Sequence, residues 1–113
     1  SSFLNTTLTP MNSATATRME YYTETRGYYA KHVEFRMDKL TNLPSNTYLK
    51  IATIPAASAP KFQVCYVIPA YNDMNNHDKM ISLWVSVAGE VFVGTTTSTV
   101  KSDSFSTAIS WTK

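Results

Sequence analysis

The stretch YNDMNNHDKMISLWVSVAGEV, residues 71–91, holds the densest set of polar side chains in the chain. Asn72, Asp73, Asn75, Asn76, His77 and Asp78 precede a strand-like run in which Ile81, Leu83, Val85 and Val87 alternate with Ser82, Trp84 and Ser86. If the branched residues point into a core, the indole of Trp84 shares its face with serines. Planar amides and carboxylates can make paired hydrogen bonds to sugar hydroxyls, and an aromatic face can cover the C–H side of a pyranose. The candidate saccharide-binding residues are therefore Tyr71, Asn72, Asp73, Asn75, Asn76, His77 and Trp84. Other accounts stay open. Asn and Asp favour turns because their side chains bond nearby backbone, so the knot also reads as a solvated loop. Its oxygens suit calcium, but their spacing matches no EF-hand. Trp84 equally fits a contact between subunits.

Other chemistry finds little support. Two histidines and one cysteine cannot meet the Cys/His spacings of a zinc site. Three glycines, Gly27, Gly89 and Gly94, are each explained by a turn or a strand end and make no phosphate loop. No serine lies in a nucleophile elbow. Glu34 and Asp38 could pair as glycosidase carboxylates do, yet they alternate with core residues on an outward strand face, where solvation explains them. The expectation is a protein without catalysis, cofactor or metal.

The elements that would hold these residues are strands. In YAKHVEFRMDKL, Val33, Phe35 and Met37 alternate with His32, Glu34, Arg36 and Asp38. The preceding TRMEYYTETRGYY completes a hairpin turning at Thr25, Arg26 and Gly27, and Tyr21, Tyr22, Tyr28 and Tyr29 read as core and interface residues. TYLKIATIP puts Leu49 and Ile51 on one face and Tyr48, Lys50 and Ala52 on the other. FQVCYVIPAY is apolar on both faces and should be covered on both, with Cys65 as a small buried residue. SVAGEVFVGT is a second hairpin, turning at Ala88 and Gly89 with Val91 and Val93 inward. In SFSTAISW, Phe105, Thr107, Ile109 and Trp111 line one face. MNSATATRME is rich in Thr and Ser, which argues for extended or irregular chain rather than helix.

About seven or eight short strands separated by turn signals predict an all-β fold, an antiparallel β-sandwich or jelly-roll-like barrel. At 113 residues the chain reads as one domain, 1–113, with residues 1–17 an N-terminal strand or a linker from the rest of a longer chain. No apolar run approaches the roughly 20 residues of a membrane span, and the first residues lack the marks of a signal peptide. A soluble chain with no membrane insertion is expected. Ten Lys and Arg against eight Asp and Glu give a net charge of +2 with the signs interspersed, which disfavours nucleic acid as a partner. The lone Cys65 excludes an intramolecular disulfide.

Taken in order, LKIATIP with its Pro-containing loop, the long apolar strand, ISLWVSVAGEVFV and the closing SFSTAISW resemble the C-terminal head domains of tailed-phage fibre and baseplate proteins. The opening LTPMNSATATRMEYYTETRGYYAKHVEFRMDKL fits the same pattern, so the resemblance runs from Leu8 to Trp111. It implies a receptor-binding head, homotrimeric, at the tail tip or baseplate of a virion assembled in the host cytoplasm. Its partners would be a host cell-surface polysaccharide and other tail or baseplate proteins. A reducing assembly compartment accords with the missing disulfide framework. Binding residues vary among such heads, so the resemblance assigns none here. The rival readings are a structural trimerisation module of a tail or fibre and a cellular carbohydrate-binding module.

Overall fold

In the computed structural model, which describes residues 2–28, 30–76 and 78–113, eight strands form two four-stranded antiparallel sheets. The first sheet runs β1 (Ser2–Thr7), β2 (Arg18–Arg26), β3 (Ala30–Leu40) and β8 (Phe105–Thr112) in that spatial order. The second is β4 (Tyr48–Thr53), β7 (Glu90–Gly94), β6 (Met80–Val85) and β5 (Val64–Pro69). In the second sheet three hairpin-linked strands are followed in space by β4, which reaches β5 through a long connection; this is Greek-key order. Among the described residues there is no α-helix, only two short 3-10 turns at Ala56–Ser58 and Tyr71–Asp73.

Period-two alternation supplies the interior. Met19, Val33, Phe35, Met37, Phe105, Ile109 and Trp111 from the first sheet meet Ile51, Ile81, Leu83, Val85, Val91 and Val93 from the second. Burying each large apolar side chain contributes about 1.5–3 kcal/mol. Tyr21 joins this core, Tyr22 lies half-buried on the outer face, and Tyr28 is exposed at the turn; Tyr29 lies outside the described residues. The segment before β2 is irregular as expected, with Asn12 and Ser13 at positive φ and a single bridge from Thr15 to Thr41.

Four expectations need correction. Thr25 and Arg26 belong to β2, paired with Lys31 and Ala30, so the first hairpin turns beyond them, from Gly27. Cys65 is exposed, because β5 is an edge strand whose outer face, with Val67 at 64% exposure, no described residue covers. Val87 is exposed because β6 ends at Val85 and Val87 falls in the following turn. Ala52 is buried beside Ile51 because the β4–β7 register shifts between Lys50 and Ala52, turning two successive residues inward.

One clasp joins the sheets at the far end of β8. The indole Nε1 of Trp111 donates to the Ser58 carbonyl at 2.8 Å, Lys31 Nζ to Ala57 O at 3.2 Å and Lys113 Nζ to Ala56 O at 2.7 Å. Every carbonyl of the first 3-10 turn thus finds a donor on the opposite sheet. At the same end, pairing places Phe3, Glu24, His32 and Thr112 in one cross-strand row, so the first and last strands share that end of the first sheet. The polar knot is at the other end, where β5 closes and β8 opens.

Candidate functional site

The knot is held by backbone. Ala70 N donates to Lys79 O at 2.9 Å and continues the β5–β6 pairing past Pro69. The chain then tightens into the Tyr71–Asp73 turn, with Asp73 N donating to Ala70 O at 3.0 Å. Tyr71 N donates to Ser104 O at 2.6 Å, and Ser104 N donates to Asn72 Oδ1 at 3.3 Å, so the knot is stitched to the segment that leads into β8. Beneath that segment lies Asp103, 1% exposed, accepting from Lys79 Nζ at 3.1 Å and from Val100 N at 2.9 Å. A buried carboxylate is tolerable only when its oxygens are partnered, and here both are.

Within the knot, Asn76 Nδ2 donates to Asp73 Oδ1 at 3.1 Å, a local bond of the sort that makes Asn and Asp turn formers. One oxygen each of Asn72 and Asp73 is therefore engaged inside the protein. Asn75 is exposed, as are the Tyr71 ring at 58% and Met74 at 51%. His77 lies outside the described residues. Among the described residues no three His, Cys, Asp or Glu side chains gather where they could hold a metal.

Tyr71 and Met74 form one wall of an open cavity of about 530 Å3 between β5 and the outer residues Ser106, Ala108 and Ser110 of β8. The two strands are the free edges of their sheets, and no ladder joins them. Short side chains on β8 leave the gap open; apolar ones on β5 line it.

Trp84 lies elsewhere. It is half-buried on the outer face of the second sheet, in a row with Lys50, Phe92 and Cys65 across four strands. The neighbouring row holds Tyr48, Gly94, Ser82 and Val67. The Tyr48 ring stacks on Trp84 at 4.6 Å and on Phe92 at 4.8 Å, and Gly94, paired with Tyr48, faces the edge of the Trp84 ring. Trp84 and Phe92 stand 6.0 Å apart at 28°, and with Tyr48 over both the three rings form one aromatic stack. Lys50 Nζ pairs with Glu90 at 3.1 Å beside it. A tryptophan on a serine face is thus the inner member of an aromatic cluster, with Tyr48, 57% exposed, on top.

The six candidate residues that the structure describes fall into two places. Tyr71, Asn72, Asp73, Asn75 and Asn76 come together at the end of the sandwich. Trp84 is four strand residues, about 13 Å, from Met80, the partner of Pro69 that marks where the knot begins. Sequence reading missed Tyr48 and Phe92. Outward alternation with Leu49, Ile51, Val91 and Val93 was the available signal, but only strand register brings them to Trp84.

No protein-family model matches the chain, and no curated protein matches it. A solved structure does. The fold is that of the receptor binding protein (gp15) of Listeria phage PSA. The superposition has a TM-score of 0.78, covers 99% of this chain and 66% of that one, at 16% sequence identity. The chain thus spans about two thirds of the length of gp15, and at that identity the likeness is one of fold.

Proposed function

We propose that this chain is the receptor-binding head of a tailed-phage tail fibre or baseplate protein, attaching the virion to a host cell-surface saccharide without catalysis. The observation that carries the reading is the likeness in fold to gp15 over 99% of the chain. The surface chemistry supports it. An exposed aromatic cluster suits the C–H face of a sugar ring, and the amide-rich loop suits its hydroxyls. In this reading saccharide contact is made by Trp84 with its stacked neighbours and by Tyr71, Asn72, Asp73, Asn75, Asn76 and His77.

The head works as a homotrimer. Val67, Tyr71, Met74 and Met80 are all exposed along β5 and the knot, an apolar edge of the kind that association covers. Shallow saccharide sites are weak singly, and three on one trimer gain from effective concentration. The same apolar edge favours the second reading, a structural trimerisation module that touches no receptor.

Adsorption of the purified protein to host cells separates the two. Trp84→Ala removes a ring worth about 0.5–1.5 kcal/mol per stacked partner, so adsorption is expected to fall about threefold to tenfold per site. Light scattering on the same samples is expected to give three times the chain mass. Adsorption indistinguishable from wild type in Trp84→Ala and in Asn75→Ala would move the contact elsewhere. A trimer that binds no cell would leave the structural module.

A further inference from the structure

The outer face of the first sheet carries a second hollow, of about 360 Å3, that neither the knot nor Trp84 enters. Strand register builds it from two adjacent rows. One crosses Asn5, Tyr22, Glu34 and Ser110; the next crosses Glu20, Arg36 and Ala108. Ala108 and Ser110 are short, so the β8 side lies low, while Phe3 stands at the opposite rim with its ring 6.1 Å from that of Tyr22.

The polar groups are already oriented. Arg36 is gripped by Asp38 through Nε at 3.2 Å and Nη2 at 2.9 Å, and its Nη1 lies 4.0 Å from Glu20 Oε1. Glu20, with only 16% of its side chain exposed, accepts from Asn5 Nδ2 at 3.2 Å, and Arg18 Nε lies 3.8 Å from the same oxygen. Glu34 contacts His32 Nε2 through Oε1 at 3.0 Å, and half of its side chain faces solvent. A ligand here meets an aromatic floor and wall, carboxylate acceptors and a guanidinium donor within one small volume. The carboxylates of Glu20, Glu34 and Asp38 outnumber the guanidinium groups of Arg18 and Arg36, which disfavours a phosphate. Mixed donors and acceptors beside a ring suit a neutral polyhydroxylated ligand, and the volume lies at the low end for small-molecule clefts.

We propose that this hollow is a second saccharide subsite, taking one neutral sugar ring with its C–H face against Tyr22 and its hydroxyls toward Glu34 and Arg36. The assignment rests on the reading of the chain as a saccharide-binding head. It adds a site on the opposite outer face from Trp84, with two sheets stacked about 10 Å apart between them. One ring cannot touch both.

Amide chemical-shift mapping with methyl glucoside, methyl galactoside, methyl rhamnoside and N-acetylglucosamine at millimolar concentration tests it. At least one sugar is expected to shift the amides of Asn5, Tyr22, Glu34 and Arg36. Glu34→Gln, which keeps shape on an exposed side chain, is expected to weaken that response about tenfold, the worth of one charge-assisted hydrogen bond. Tyr22→Ala should abolish it, and Trp84→Ala should leave it intact. Shifts confined to the knot and to the Trp84 cluster would overturn this subsite while the saccharide reading stood. Shifts unaffected by Glu34→Gln and Tyr22→Ala would overturn it as well. No shift with any of the four sugars, together with no wild-type adsorption to host cells, would overturn both.

Discussion

Gly89→Ala is expected to destabilise the protein by at least about 2 kcal/mol. Gly89 sits at φ +89°, a conformation that L side chains rarely adopt, and a Cβ there would overlap the carbonyl oxygen of Ile54. That oxygen belongs to backbone, so no side-chain rotation relieves the clash. The glycine carbonyl also accepts from Ile54 N at 2.9 Å, tying the hairpin to the end of β4. Around it, Gly89 N donates to Ser86 O at 3.0 Å and the Ser86 hydroxyl accepts from Glu90 N at 3.1 Å. The hairpin joins the strands that carry Trp84 and Phe92, so moving it should also disturb their stacking. Thermal unfolding followed by near-ultraviolet circular dichroism reads both effects. A melting temperature within about 3 °C of wild type would show that β4 gives way more easily than its bonding implies.

The second large effect is expected at Asp103. Replacing it by Ala removes both acceptors of a buried carboxylate, leaving the Val100 amide and the Lys79 ammonium without their partner. A loss of about 1–3 kcal/mol is expected, since the Val100 bond is part-buried and the Lys79 ammonium, partly exposed, can turn to water. Asp103→Asn keeps an acceptor for Val100 and should lose less. The local consequence is more specific than the global one. Tyr71 and Asn72 bond to Ser104, next in sequence to Asp103, so hydrogen exchange at the Tyr71 and Ser104 amides should speed up well before the core opens. Unchanged protection at those two amides would mean that the knot holds itself without Asp103.

Much of this architecture was legible from alternation alone. Val33, Phe35 and Met37, like Phe105, Ile109 and Trp111, are inward because a strand has two faces and only one of them is apolar. Turn residues were legible for the same local reason: Gly27 and Gly89 both adopt positive φ. What failed was information carried by neighbours. Cys65 and Val67 look like core until β5 proves to be an edge, and edge position depends on strands distant in sequence. Ala52 turned inward because of a bulge, a defect of pairing that no single strand announces. At the candidate site the polar loop was visible by composition, whereas the ring cluster required register between β4, β6 and β7. Glu34 and Asp38 do lie on an outward face, with Glu34 exposed, but the cross-strand row of Glu34 with Tyr22 and Asn5 emerges only once β1 and β2 are aligned.

The shared row of Phe3 and Thr112 has a practical side. Because β1 starts and β8 finishes at one pole of the sandwich, a tag fused at either terminus sits far from the amide-rich loop at the opposite pole. Sensor chips or beads loaded through such a tag would therefore display Tyr71 and its neighbours to the bulk solution, while a bulky fusion ahead of Phe3 would crowd the hollow beside Tyr22.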